Sequence, residues 1–136
     1  MNKTIEIRDV DEGGYLRVDL RDILAAVSSV GDDCRWTLTR FEARGDVTSI
    51  WPNGMLDLER AAASAEGVQL EWRELIRLSE QIMQTIDCKL VAVSKKSGRV
   101  RMTIEVIDSS CCRFGSDDPV LVADVARQFA NVRERE

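Results

Sequence analysis

Leu90-Val91-Ala92-Val93, then Lys95-Lys96-Ser97-Gly98, then Val100-Arg101-Met102-Thr103-Ile104-Glu105-Val106 form an apolar run, a turn and an alternating run. This order predicts a β-hairpin, because side chains alternate faces along a strand and the Lys-Lys-Ser-Gly segment has the residues a tight reversal needs. The first arm is apolar on both faces and belongs inside a sheet. The second arm places Val100, Met102, Ile104 and Val106 on one face and Arg99, Arg101, Thr103 and Glu105 on the other, so one face meets helices and the other meets water or a partner.

Toward the C-terminus, Asp108-Ser109-Ser110 favours a turn, and Cys111 to Phe114 follows as a short strand. Without that turn, Asp108 would continue the apolar phase of the hairpin and be buried. Asp117 or Asp118 can then cap a helix with Pro119 at its first position and Val120, Leu121, Val125, Ala126 and Phe129 on one stripe. Arg127, Arg133 and Arg135 are expected toward its C-terminal end, which favours cations.

Toward the N-terminus, Trp72, Leu75, Ile76, Ser79, Ile82, Met83 and Ile86 share one stripe, with Arg73, Glu74, Arg77, Glu80, Gln81 and Gln84 on the other side. This spacing predicts an amphipathic helix. Before it, the alanine-rich stretch Leu56 to Glu66 predicts another helix, stopped by Gly67. Thr48 to Met55 reads as a loop of unusual apolar weight around Trp51-Pro52, and Cys34 to Ala43 as a strand. Asp19 caps a helix running to Gly31, preceded by an extended Tyr15-to-Val18 and by a strand over residues 3–8. The order β, α, β, α, α, β, β, β, α gives an α+β fold: a mainly antiparallel sheet of about five strands on three to four helices. With 136 residues and no linker or repeat, residues 1–136 form a single domain.

A formal charge of −5 repels phosphate backbones, and no basic helix interleaved with aromatics overrides it, so nucleic acid is not an expected partner. Lys89, Lys95, Lys96, Arg99 and Arg101 cluster around the hairpin tip, where lysines guard a sheet edge or meet an anionic partner. No apolar run reaches membrane-spanning length and no export signal opens the sequence. A cytoplasmic protein with reduced thiols is expected.

The chain has no histidine, which removes the commonest general base and metal ligand. Cys34, Cys88, Cys111 and Cys112 follow no metal-ligand spacing. Cys111-Cys112 is not a C-x-x-C pair, and adjacent strand residues point to opposite faces, with Arg113 the only sequence-adjacent cation able to activate a thiol. Ser94, Ser97, Ser109 and Ser110 near Lys95 and Lys96 lack a Ser-Lys catalytic pattern and suit turns. The acidic groups at Asp9, Asp11 and Glu12, at Asp32 and Asp33, and at Asp117 and Asp118 lack calcium-loop spacing and suit caps. No glycine pattern for a nucleotide occurs. No catalytic set, cofactor site or metal site is predicted.

Ile107-Asp108-Ser109-Ser110 through Asp117-Asp118, closed by a helix ending Phe129-Ala130-Asn131-Val132, resembles the ends of small acidic bacterial proteins of unknown function, some of them immunity partners of secreted toxins. The resemblance covers about the last 35 residues and assigns no functional residue. It implies a protein whose work is binding.

The leading expectation is a non-catalytic module that binds another protein or itself, one form being an acidic immunity-type protein that blocks a basic toxin. Trp51 is either a lid over the sheet edge or an interface anchor. Arg99 and Arg101 are candidate partner contacts. The alternative is a small-ligand or enzyme-like pocket between the sheet and the helices of residues 56–86, walled by Trp36, Trp72 and Arg40. A homodimer through an edge strand or an apolar helix side fits either.

Overall fold

The computed structural model describes residues 3–14 and 17–135; the extended segment expected from Tyr15 begins outside them. Among the described residues, seven strands form one antiparallel sheet: β1 (Lys3–Ile7), β2 (Cys34–Gly45), β3 (Val68–Leu70), β4 (Ile82–Ser94), β5 (Val100–Ile107), β6 (Cys111–Ser116) and β7 (Val132–Arg135). Their spatial order is β3-β2-β4-β5-β6-β1-β7, with every neighbouring pair antiparallel. Five helices accompany it: α1 (Leu20–Ala26), α2 (Ser28–Gly31), α3 (Met55–Ala62), α4 (Trp72–Gln81) and α5 (Pro119–Ala126). The fold is α+β as expected, with seven described strands against about five and five described helices against three to four.

The hairpin forms, β4 lying inside the sheet and β5 burying Met102, Ile104 and Val106, but Val100 is exposed instead of joining that face, because a register shift between Ala92 and Val93 breaks the alternation there. The turn after β5 keeps Asp108 exposed. Asp108 and Ser109 both have positive φ, and Ser110 N donates to Ile107 O at 2.9 Å, the geometry of a tight hairpin turn. At the C-terminal helix, Asp118 accepts from the backbone N–H groups of Val120 and Leu121, and Pro119 takes the first position, so α5 starts where the sequence signals it.

The long helix expected to run from Trp72 to Ile86 ends at Gln81. Ile82, Met83 and Ile86 belong to β4. Tertiary pairing overrides the helical periodicity here: Ala43, Arg44 and Gly45 of the long β2 pair with Thr85, Gln84 and Ile82. Gly45 makes this junction possible, because its φ of 144° is open to glycine and a Cβ there would collide with the Gln81 carbonyl. β-Branched Ile82, Thr85 and Ile86 accept the extended path readily.

Three further boundaries differ. The alanine-rich helix stops at Ala62, and Val68–Leu70 after Gly67 forms the edge strand β3 by pairing with Trp36 to Leu38. The helix expected from Asp19 to Gly31 divides at Val27 into α1 and α2. Arg133 and Arg135 do not extend the last helix. They lie in β7, which returns along β1 and forms the opposite sheet edge.

All helices lie over one side of the sheet. Their buried residues, including Leu24, Leu58, Leu75, Leu78 and Val125, join Ile5, Ile7, Trp36, Leu38, Leu90, Ile104 and Phe114 in one core cluster. Val91, Val93 and Ile107 point the other way and stay outside it. Among the described residues, the opposite face of the sheet carries no helix.

Candidate functional site

Register determines what the uncovered face displays, since directly opposed residues on antiparallel strands share a side. One row across it reads Arg133, Glu6, Arg113, Glu105, Lys89, Arg40, running from β7 to β2. Between Arg135 at one end and Gln69 at the other, the next row reads Thr4, Gly115, Thr103, Val91, Thr37. Charges alternate along most of the first row, and the second is short-chained and nearly flat. A Cβ on Gly115 would sit 3.1 Å from Thr103 Oγ1 and 3.2 Å from Thr4 Oγ1, so the two threonines close over the glycine.

Part of the charge is satisfied within the face. Arg40 reaches Glu105 at 3.2 Å. Glu6 is contacted by three guanidinium groups: Arg8 at 3.1 Å, Arg135 at 3.4 Å and Arg113 at 4.0 Å. Burial alone would raise the Glu6 carboxyl, but the hydrogen bond and charge of Arg8, with the charges of Arg113 and Arg135, hold it below the ordinary carboxylate range. Arg113 Nε is buried with no hydrogen-bond partner.

Cys111 and Cys112 take opposite faces. Cys112 enters the core, while Cys111 lies under the arginines around Glu6. Burial pushes the Cys111 thiol up, the Glu6 charge adds to this, and Arg8, Arg113 and Arg135 only partly oppose it. Burial likewise raises Cys34 and Cys112, and takes Cys88 to about 12. All four are free, buried thiols, held in the unreactive protonated form near neutral pH. Among the described residues no group of histidine, cysteine and carboxylate side chains could hold a metal ion.

The structure separates the six sequence-predicted contacts. Trp36 is fully buried, donates its ring N–H to Gly31 O at 3.0 Å and packs against Trp72 with ring centroids 5.6 Å apart. Arg40 lies on the other side of the sheet, so it shares no space with those rings. Trp51 is half-buried against the core, its ring N–H bonded to Asp57 Oδ2 at 2.7 Å, which gives it a lid's position. Arg99 is exposed at the hairpin tip. Arg101 lies 3.5 Å from Asp118, and its Nε is buried without a partner.

Sequence reading missed the Arg8, Arg113, Arg133 and Arg135 group around Glu6. Its only sequence signal is arginine in alternation at both ends of the chain, and strand register alone brings those ends together. It also missed a cleft of about 760 Å³ at one end of the sheet, where Arg17, Arg21 and Arg44 face Asp19, Asp22 and Asp108. Asp19 is engaged there, accepting from Leu20 N and from Thr85 Oγ1 at 2.7 Å.

No protein-family profile matches the chain, and no curated protein or solved structure matches it. Among the described residues, no helix is long and apolar enough to cross a membrane.

Proposed function

We propose that this protein works by binding another protein through the uncovered face of its sheet, without catalysing a reaction. The observation that supports this reading is the asymmetry of the sheet: one face is sealed by five helices and the other is bare across seven strands. Strands spaced about 4.8 Å apart make that face roughly 29 Å wide, and strands of ordinary length give it about 500–600 Å², the larger part of the roughly 800 Å² per partner of a standard interface. Its charged outer row and small, flat second row offer a polar rim beside a close-packing strip. The buried thiols and absent histidine leave no evident nucleophile-base pair on it.

An immunity-type inhibitor of a toxin is one concrete form of this reading. The net charge of −5 supports it, by favouring fast encounter with a basic partner, and the resemblance of the C-terminal segment points the same way. Self-association is the other form. A small-molecule reading takes its support from the cleft at Arg17, Arg21 and Arg44, where a left-handed Asp108-Ser109 turn forms part of the wall.

Affinity capture from the source cell, followed by light scattering of the reconstituted mixture, tests the proposal. A defined complex of two different proteins is expected. A metabolite that raises the unfolding midpoint while no protein is captured would replace the proposal with the cleft reading, since saturation at a hundred times Kd adds about 2.7 kcal/mol.

A further inference from the structure

We infer that the outer edge of β7 receives an extended segment of the partner as an added strand, and that this segment alternates acidic and apolar residues. The inference rests on the protein-binding reading above and gives it a location and a chemistry.

β7 ends the sheet, so among the described residues one side of its backbone has no neighbouring strand. Arg8 N donates to Asn131 O at 2.9 Å, which fixes the hydrogen-bonding phase of the β1–β7 ladder. Hydrogen-bonding and non-bonding pairs alternate along an antiparallel ladder, so Arg133 and Arg135 turn their backbone groups toward β1. Val132 and Glu134 therefore turn theirs outward. These outward N–H and C=O groups are what an incoming strand pairs with.

Side-chain chemistry selects the segment. Arg133 and Arg135 share the uncovered face with Arg113 and, just beyond β1, Arg8; the guanidinium groups of Arg8, Arg113 and Arg135 contact Glu6, and Arg133 stands opposite Glu6 in register. Arg133 is exposed and forms no ion pair with a described residue. This corner is a positive island on a chain of net charge −5. Acidic residues of an added strand would stand beside Arg133 and Arg135. On the other side, Val132 packs against the core and Glu134 repels acid, so the intervening residues are apolar.

The same geometry disfavours a second copy at this edge. A two-fold axis normal to the sheet keeps each face continuous; centred on Glu134 it would set Glu134 against Glu134 and Arg133 against the second copy's Arg135, and centred on Arg133 it would set Arg133 against Arg133. The far edge, β3, has three residues and places only Gln69 on the uncovered face.

The probe is a fluorescein-labelled peptide alternating glutamate and valine, followed by anisotropy against the full chain, with a lysine-valine peptide as control. Saturable binding of the glutamate peptide that weakens with salt is expected, with none for the control. Arg133→Glu should weaken it by roughly tenfold or more. Glu134→Pro, which removes an outward N–H and leaves the β1 pairing in place, should abolish it. A glutamate-valine peptide N-methylated along one edge leaves the protein untouched and should fail to bind. The inference is overturned by absence of saturable binding up to millimolar peptide, by binding indifferent to Arg133→Glu, or by an N-methylated peptide that binds equally well. If the peptide fails while a captured partner is still lost on Thr103→Arg, only the edge is wrong; if no partner is captured at all, the protein-binding reading fails with it.

Discussion

The two faces of this sheet use the same strands for different purposes. On the helix side, Ile104, Leu90 and Leu38 stand in one register row and are fully buried. On the uncovered side, the row one residue along holds Thr103, Val91 and Thr37, all half-buried and outside the core. Burial of apolar area stabilises the first row, whereas the second gives up that stabilisation and stays accessible. Substitutions should therefore divide by face: the covered side governs stability, and the uncovered side governs contact.

The largest effect should come from Trp36→Ala, which empties the space under Trp72 and removes the bond to Gly31 O. A loss of about 3–5 kcal/mol in urea unfolding is expected. A loss below about 1 kcal/mol would blur the contrast between the faces, because surface substitutions reach that size.

Gly31→Ala probes the same tryptophan pair from the opposite direction. An added Cβ would lie 2.5 Å from the Trp72 ring, so overpacking should cost about 1–3 kcal/mol. Trimming the ring with Trp72→Leu in the same chain should recover part of this loss, since the two positions touch. Strictly additive losses would mean that the crowding lies elsewhere.

A smaller effect is expected where the uncovered face has its own charge cluster. Glu6→Gln should cost about 1 kcal/mol near neutral pH and less in high salt, because its arginine partners are well hydrated. The Glu6 carboxyl titrates lower in the folded protein than in the unfolded chain. Its contribution is therefore present above the unfolded value of about 4.3 and disappears as pH falls through the lower folded value. Unfolding curves of the two proteins should converge in acid, and a gap that persists there would remove the ionic explanation. Smallest of all, Thr103→Arg should change stability by less than about 0.5 kcal/mol.

Sequence carried the local part of this architecture well. Alternation identified β5 and, from Met102 to Val106, its two faces, and the Asp118-Pro119 pair placed the start of α5 correctly, because both signals lie within a few residues. What it could not carry was pairing across long separations. Ile82 to Ile86 continue the helical stripe of α4 and become strand only because β2 lies alongside, and Val68–Leu70 and Val132–Arg135 are too short to declare themselves without β2 and β1. The arginines around Glu6 were hidden for the same reason, since they become neighbours only after the two ends of the chain pair. Trp36 and Trp72 were legible as a pair of large apolar residues, but register on β2 put Arg40 on the other side.

The central claim is tested most directly by capturing the partner with three forms of the protein in parallel: the unaltered chain, Thr103→Arg in the middle of the uncovered face, and Leu56→Glu, which changes an exposed apolar residue on the helix side. Unfolding curves should first establish that all three are folded. One protein should be enriched by the unaltered chain and by Leu56→Glu and be lost from Thr103→Arg. Retention by Thr103→Arg together with loss from Leu56→Glu would contradict it and move the binding surface to the helices.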